Sequence, residues 1–178
     1  MQKDRVYGLM AEFDNPDDLV AGARAAHAAG YRKMDAYTPM PVHGLAEALG
    51  SHSTKVPLLV LFGGLFGCLA GFTMLYVIEE YIYPMNVGGR PYNSWPAFIP
   101  ITFETTILFA ALSAVLGMLA LNGLPQPYHP VFNVPRFALA SRDRFFLCIE
   151  ACDPKFETKA TREFMEGLHS REVSEVER

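Results

Sequence analysis

Val56-Pro57-Leu58-Leu59-Val60-Leu61-Phe62-Gly63-Gly64-Leu65-Phe66-Gly67-Cys68-Leu69-Ala70-Gly71-Phe72-Thr73-Met74-Leu75-Tyr76-Val77-Ile78 is an apolar run without a single charge. A second run of the same length, Ile99 to Leu121, holds one carboxylate, Glu104. As helices, 23 residues reach roughly 34 Å. A bilayer core is about 30 Å thick, so each run is long enough to cross it with some tilt. Two buried helices of a soluble domain are the plainer alternative, and the runs are long for that.

The rest of the 178 residues divides around this stretch. Residues 1–55 carry six basic and seven acidic groups, and residues 131–178 carry eight and nine. Between them, residues 56–130 have only Arg90 against Glu79, Glu80 and Glu104. The ends therefore read as soluble and the middle as membrane. No basic patch points to nucleic acid. Met1-Gln2-Lys3-Asp4-Arg5 has no apolar region behind it, so the first span is expected to direct insertion itself.

Loop charge sets the expected orientation. The connection from Glu79 to Phe98 has Arg90 alone, whereas Lys55, Arg136, Arg142 and Arg144 flank the spans on the other side. Basic loops stay in the cytoplasm, so both termini of a multi-pass protein are expected there. Tyr81, Tyr83, Tyr92 and Trp95 suit the headgroup level. Pro84, Pro91, Pro96 and Pro100 are expected to keep the connection stiff and non-helical.

The ends show matching patterns. Residues 6–13 alternate, with Tyr7, Leu9, Ala11 and Phe13 on one face of a strand. Asn15-Pro16-Asp17-Asp18 is a helix start, with Asn15 as N-cap and Pro16 at the first turn. The helix runs to about Ala29 and stops at Gly30, with Leu19, Ala23 and Ala26 inward. Residues 31–37 form a second strand, and Leu45 to Leu49 a short helix ended by Gly50. After the second span, Leu124-Pro125-Gln126-Pro127-Tyr128-His129-Pro130 leaves the bilayer without helix. Residues 144–151 form a strand with Phe145, Leu147 and Ile149 on one face. Asp153-Pro154 repeats the capping pattern, and Phe156, Ala160, Phe164 and Leu168 give a helix its inner stripe. A last strand lies around Glu172 to Val176. The order β-α-β, then β-α-β, is ferredoxin-like. The expected fold is thus membrane α+β, a two-helix transmembrane hairpin inserted in a ferredoxin-like βαββαβ cytoplasmic domain. Its parts are residues 1–55 (first half and linker), 56–82 (first span), 83–98 (non-cytoplasmic loop), 99–121 (second span) and 122–178 (exit linker and second half). Neither half alone buries its exposed sheet face, so the two must meet.

Chemistry-bearing patterns are few. Gly63, Gly67 and Gly71 recur every four residues, widened by Gly64 and Cys68, and Ala110, Ser113, Ala114 and Gly117 answer them in the second span. Small residues let helices approach closely in lipid, so these stripes are expected to pack the hairpin on itself or on a larger subunit. Glu104 is costly in a span unless paired, protonated or facing water. It reads either as a member of a proton path or inter-subunit ion pair, or as an interface-level acid aided by Glu79 and Glu80. His43, His52 and His129 flank the spans without metal-ligand spacing. The three cysteines (Cys68, Cys148, Cys152) show neither C-x-x-C-H nor a cluster motif and read as small hydrophobes. No nucleophile elbow or phosphate loop occurs.

Thr38-Pro39-Met40-Pro41-Val42-His43-Gly44-Leu45 resembles a signature of the small two-span D subunit of bacterial alternative complex III, a quinol:cytochrome c oxidoreductase membrane protein family. Tyr83-Pro84, Gly88-Gly89-Arg90-Pro91, Ser94-Trp95-Pro96-Ala97-Phe98-Ile99-Pro100 and Phe103-Glu104 resemble its inter-span loop. Leu124-Pro125 and His129-Pro130-Val131-Phe132 resemble its exit segment. Met40 stands where an aromatic residue is expected, a departure that touches packing only. The resemblance spans nearly the whole chain. It implies a cofactor-free accessory subunit of a quinol-oxidising electron-transfer complex in the bacterial inner membrane, with haem c, iron–sulfur clusters and the quinol site in partner subunits, among them a large multi-span one. It carries over no catalytic residue. A stand-alone two-span sensor with a ligand-binding ferredoxin-like domain is the alternative.

Overall fold

The computed structural model describes residues 6–50 and 54–178. Met1 to Arg5 and Ser51-His52-Ser53, with the expectations placed on them, lie outside the described residues. The chain divides into two compact units, Met1–Ser53 with Pro127–Arg178, and Thr54–Gln126.

The first unit is built on a four-stranded antiparallel sheet. Its strands are β1 (Val6–Phe13), β2 (Met34–Tyr37), β3 (Phe145–Glu150) and β4 (Glu172–Glu177), in the order β2-β3-β1-β4. Helix α1 (Pro16–Ala29) joins β1 to β2, and α5 (Thr158–Glu166) joins β3 to β4. A short helix α2 (Leu45–Ala48) follows β2. β1 lies between two strands from the far end of the sequence, so neither end has a sheet without the other.

Local sequence explains α1 at both ends. The Asn15 side chain accepts from the Asp18 N–H at 2.8 Å, and Gly30 takes φ 102° to close the last turn, a left-handed conformation that suits glycine. Leu19, Ala23 and Ala26 meet Leu9, Ala11, Phe13, Leu147 and Ile149 in the main core. Burying a large apolar side chain contributes about 1.5–3 kcal/mol, so this face is the principal source of the sheet's cohesion.

Several local expectations change. Tyr7 turns to the second face of the sheet, beside Met10, Phe146 and Cys148. The pairing with β4 slips between Val6 and Gly8, and such a bulge inverts the alternation locally. Gly8 suits this spot because a Cβ there would lie 2.4 Å from the Ile149 carbonyl oxygen. That second face is covered too. Two 3-10 segments, Pro130–Asn133 and Pro135–Ser141, lay Val131, Val134, Phe137 and Ala140 over it. β2 is shorter than its sequence pattern, because Tyr31 packs into the core ahead of the strand.

Asp153 does not cap a helix. α5 begins only at Thr158, and the Asp153 carboxylate instead accepts from the N–H groups of Arg32 (2.7 Å), Lys33 (2.8 Å) and Lys155 (2.8 Å). With the helix start displaced, Ala160 faces solvent and Thr161 and Met165 take the inner positions. The Thr161 hydroxyl is shared with Tyr31 Oη at 3.1 Å and the Glu157 N–H at 3.2 Å.

The second unit is a helical hairpin. Helix α3 (Val56–Val77) continues as a π turn over Ile78–Ile82, and α4 runs from Trp95 to Leu121. α4 therefore starts inside what the prolines marked as non-helical loop. Pro96 falls in the first turn, where no N–H is needed, and Pro100 lies inside the helix. Only 11% of the most apolar stretch of the first helix, and none of the second's, is buried. A core helix of a soluble protein would be mostly covered. These side chains point outward instead, as lipid-solvated helices require.

Candidate functional site

The hairpin seam comes from its glycines. A Cβ at Gly63 would stand 2.0 Å from Ser113 Oγ, at Gly67 2.5 Å from the Thr105 carbonyl oxygen, and at Gly71 2.0 Å from Thr105 Oγ1. On the other helix, a Cβ at Gly117 would meet Leu59 Cδ1 at 2.9 Å. A Cβ on Gly64 would come within 3.6 Å of that of Ala110, which is ordinary contact. α3 and α4 thus approach along the small residues, and Phe66 meets Phe109 edge-on with centroids 5.1 Å apart. Ala114 is partly covered on α4, one residue beyond Ser113.

The three membrane carboxylates are in unlike situations. Glu79 accepts two hydrogen bonds from Arg90 Nη2, at 3.2 and 3.0 Å, so the connection folds back onto the end of the first span. Glu80 Oε2 is buried without a hydrogen-bond partner among the described residues. Glu104 is exposed and makes no ion pair with any described residue. The structure joins none of the three to another.

The proline linker has a clear local role. Thr38 Oγ1 donates to the Met40 carbonyl at 2.8 Å, and Gly44 takes φ 76° to start α2. The path from Pro39 through Pro41 and His43 crosses α1. Met40 to His43 and the α1 residues Asp17, Val20 and Arg24 border an open groove of about 510 Å³.

One constellation escaped sequence reasoning. On the second sheet face, Tyr7 Oη donates to Glu150 Oε1 at 3.2 Å and lies 3.3 Å from His129 Nε2. The Cys152 thiol donates to Glu150 Oε2 at 2.9 Å. Burial, then the nearby Glu150 carboxylate, raise the Tyr7 hydroxyl above its ordinary range. The same two causes push the Cys148 thiol up to about 12. Asp35 keeps solvent contact, yet partial loss of hydration and then Glu150 raise its carboxyl, while His129 opposes this. A raised thiol stays protonated and unreactive, so the group orders the exit segment rather than offering a nucleophile. Its only signal was His129 in the exit motif, and the bulge that brings Tyr7 to it is not a local property of the sequence.

Ion pairs fasten the two sequence halves of the sheet. Glu12 is 3% exposed and receives Arg136 on both oxygens at 2.6 Å. Those hydrogen bonds, against the cost of burial, hold its carboxyl below the ordinary range. Burial alone would raise Asp153, but its three backbone donors outweigh that and lower it. Among the described residues no cluster of three metal-ligating side chains occurs.

No curated protein matches the chain. A family model described as the ActD subunit of alternative complex III matches residues 7–175, nearly its whole length. A chain with two outward-facing apolar helices and this match from end to end belongs to the ActD subunit family of alternative complex III, a quinol oxidoreductase complex of the membrane.

Proposed function

We propose that the chain is a cofactor-free accessory subunit that braces a larger, multi-span membrane subunit of the complex. The observation that carries this reading is the hairpin itself. Its small-residue faces are spent on each other, and its outer faces offer large apolar side chains to lipid or to other spans. The sheet unit serves as a ferredoxin-like cap, a reading supported by the β2-β3-β1-β4 order and by the two helices on one face. Loop charge favours a cytoplasmic position for that cap and for both termini. On this reading haem c and iron–sulfur clusters belong to partner subunits. Glu104 serves the bracing contact as a buried ion-pair or proton-path group, and Glu79, already committed to Arg90, is not its partner.

Removing the chain tests this. The complex without it is expected to retain the haem and iron–sulfur spectra of its other subunits but to assemble in much lower yield. Unchanged yield with quinol oxidation abolished would assign the chain a catalytic part. The sensor alternative draws on the α1–linker groove. Purification of the chain as a solitary homodimer would favour that alternative.

A further inference from the structure

We propose that the side of α4 carrying Glu104 is the docking face for a membrane-spanning helix of another chain, one that presents a Lys or Arg at the depth of Glu104. The proposal rests on the accessory-subunit reading and specifies its contact.

The face is defined by what α3 already covers. Thr105, Thr106, Phe109, Ala110 and Ser113 meet the glycines of α3, an arc centred near Phe109 and Ser113. At about 100° per residue, Glu104 lies on the opposite side of α4. It sits five residues beyond Ile99, where the apolar run begins, roughly 8 Å along the axis. Ala97, Ile101, Glu104, Leu108, Ala111 and Val115 follow one another at alternating spacings of four and three, and all are exposed. That is the repeat of a helix–helix seam. The small residues Ala97 and Ala111 stand seven residues either side of Glu104 and leave room for a neighbouring backbone. The outer side of α3 differs. Phe62, Leu65 and Leu69 crowd it with bulk, Leu69 being 68% exposed, and no ionisable group accompanies them. That surface suits lipid chains.

The charge selects the occupant. A carboxylate facing hydrocarbon costs several kcal/mol unless it is paired or protonated, and Glu104 has no cation among the described residues. A purely apolar neighbour would leave the cost in place. A basic side chain on a closely approaching span removes it.

The test uses the assembled complex, purified in mild detergent through a tag on this chain. Cys68 and the exposed Cys152 are replaced by alanine, and Ala111→Cys or Leu69→Cys is coupled to a benzophenone maleimide and irradiated. The expected result is a crosslink from position 111 to a spanning peptide of another chain with Lys or Arg within one turn, and lipid adducts alone from position 69. Glu104→Gln, which keeps the shape, is expected to lower retention of that chain by about tenfold, the scale of one interhelical polar contact in lipid. Lipid adducts alone from position 111, a crosslinked span without a basic residue, or unchanged retention in Glu104→Gln would overturn the proposal. So would the infrared band of a neutral carboxyl that disappears in Glu104→Gln, which would make Glu104 a proton-carrying group. If the wild-type chain purifies alone, the accessory-subunit reading fails instead.

Discussion

Arg136 donates from both Nε and Nη2 to the two carboxylate oxygens of Glu12, each at 2.6 Å, although the residues lie 124 positions apart. The partners differ in depth. Glu12 is 3% exposed, whereas Arg136 keeps 39% of its side-chain surface in solvent and also reaches Glu172 at 3.3 Å.

That asymmetry predicts unequal mutants. Arg136→Ala strands a buried carboxylate, with Arg144 at 3.8 Å and the more distant Arg171 left to compensate in part. It is expected to cost about 3 kcal/mol. Glu12→Gln leaves a cation that water can solvate and is expected to cost about 1 kcal/mol. The rate at which Cys148, fully buried on the sheet, becomes labelled by a thiol reagent in denaturant measures both. Equal costs would contradict the asymmetry.

Acid should act through Glu12 and Asp153. Both are held below their ordinary values in the fold, so over that interval the unfolded chain binds more protons. Their stabilisation is therefore complete above the ordinary carboxylate range, near pH 4, and is lost as pH falls through the folded values. A titration of stability against pH should show a steep acid limb, and Asp153→Asn should flatten it.

Asp35 has the opposite sign. Its carboxyl is raised in the fold, so its contribution is favourable below the ordinary range and lost as pH rises. Asp35→Asn is expected to stabilise the sheet unit at neutral pH, and the gain should vanish under acid. A loss of stability at pH 7, read by the same Cys148 labelling, would contradict the assigned sign.

Glycines of the seam should separate by what they face. Gly67→Ala drives a methyl against a backbone carbonyl at 2.5 Å, which cannot turn aside. Overpacking of that kind costs about 1–3 kcal/mol. Gly64→Ala meets a methyl at 3.6 Å and should be neutral or mildly stabilising. Thermal unfolding in detergent, followed by Trp95 at the start of α4, compares the two.

The elements that could be read from the chain were those whose cause is local. Asn15, Pro16 and Gly30 carry α1 within their own side chains and dihedrals, and the charge-free run after Val56 carries the first span. What could not be read depends on distant partners. The Asp153 carboxylate looks like a cap until Arg32 and Lys33 arrive from 120 or so residues earlier. Tyr7 follows the alternation until the pairing with β4 slips. Val131, Val134, Phe137 and Ala140 recur every three residues, the 3-10 period, which matches neither strand alternation nor α-helical spacing. The outward direction of Glu104 follows from the glycine spacing once it is known that α3, not a separate subunit, occupies that stripe.

β1 takes its hydrogen-bonding neighbours, β3 and β4, from beyond the hairpin. A ribosome releases the first fifty residues long before it has made either neighbour, and the translocon must deliver both spans in between. The head can close only after the hairpin and the strands beyond it have been made. Until then the first strand has neither neighbour and stays open to chaperones and proteases, so the topology sets a fixed order, hairpin first and head last.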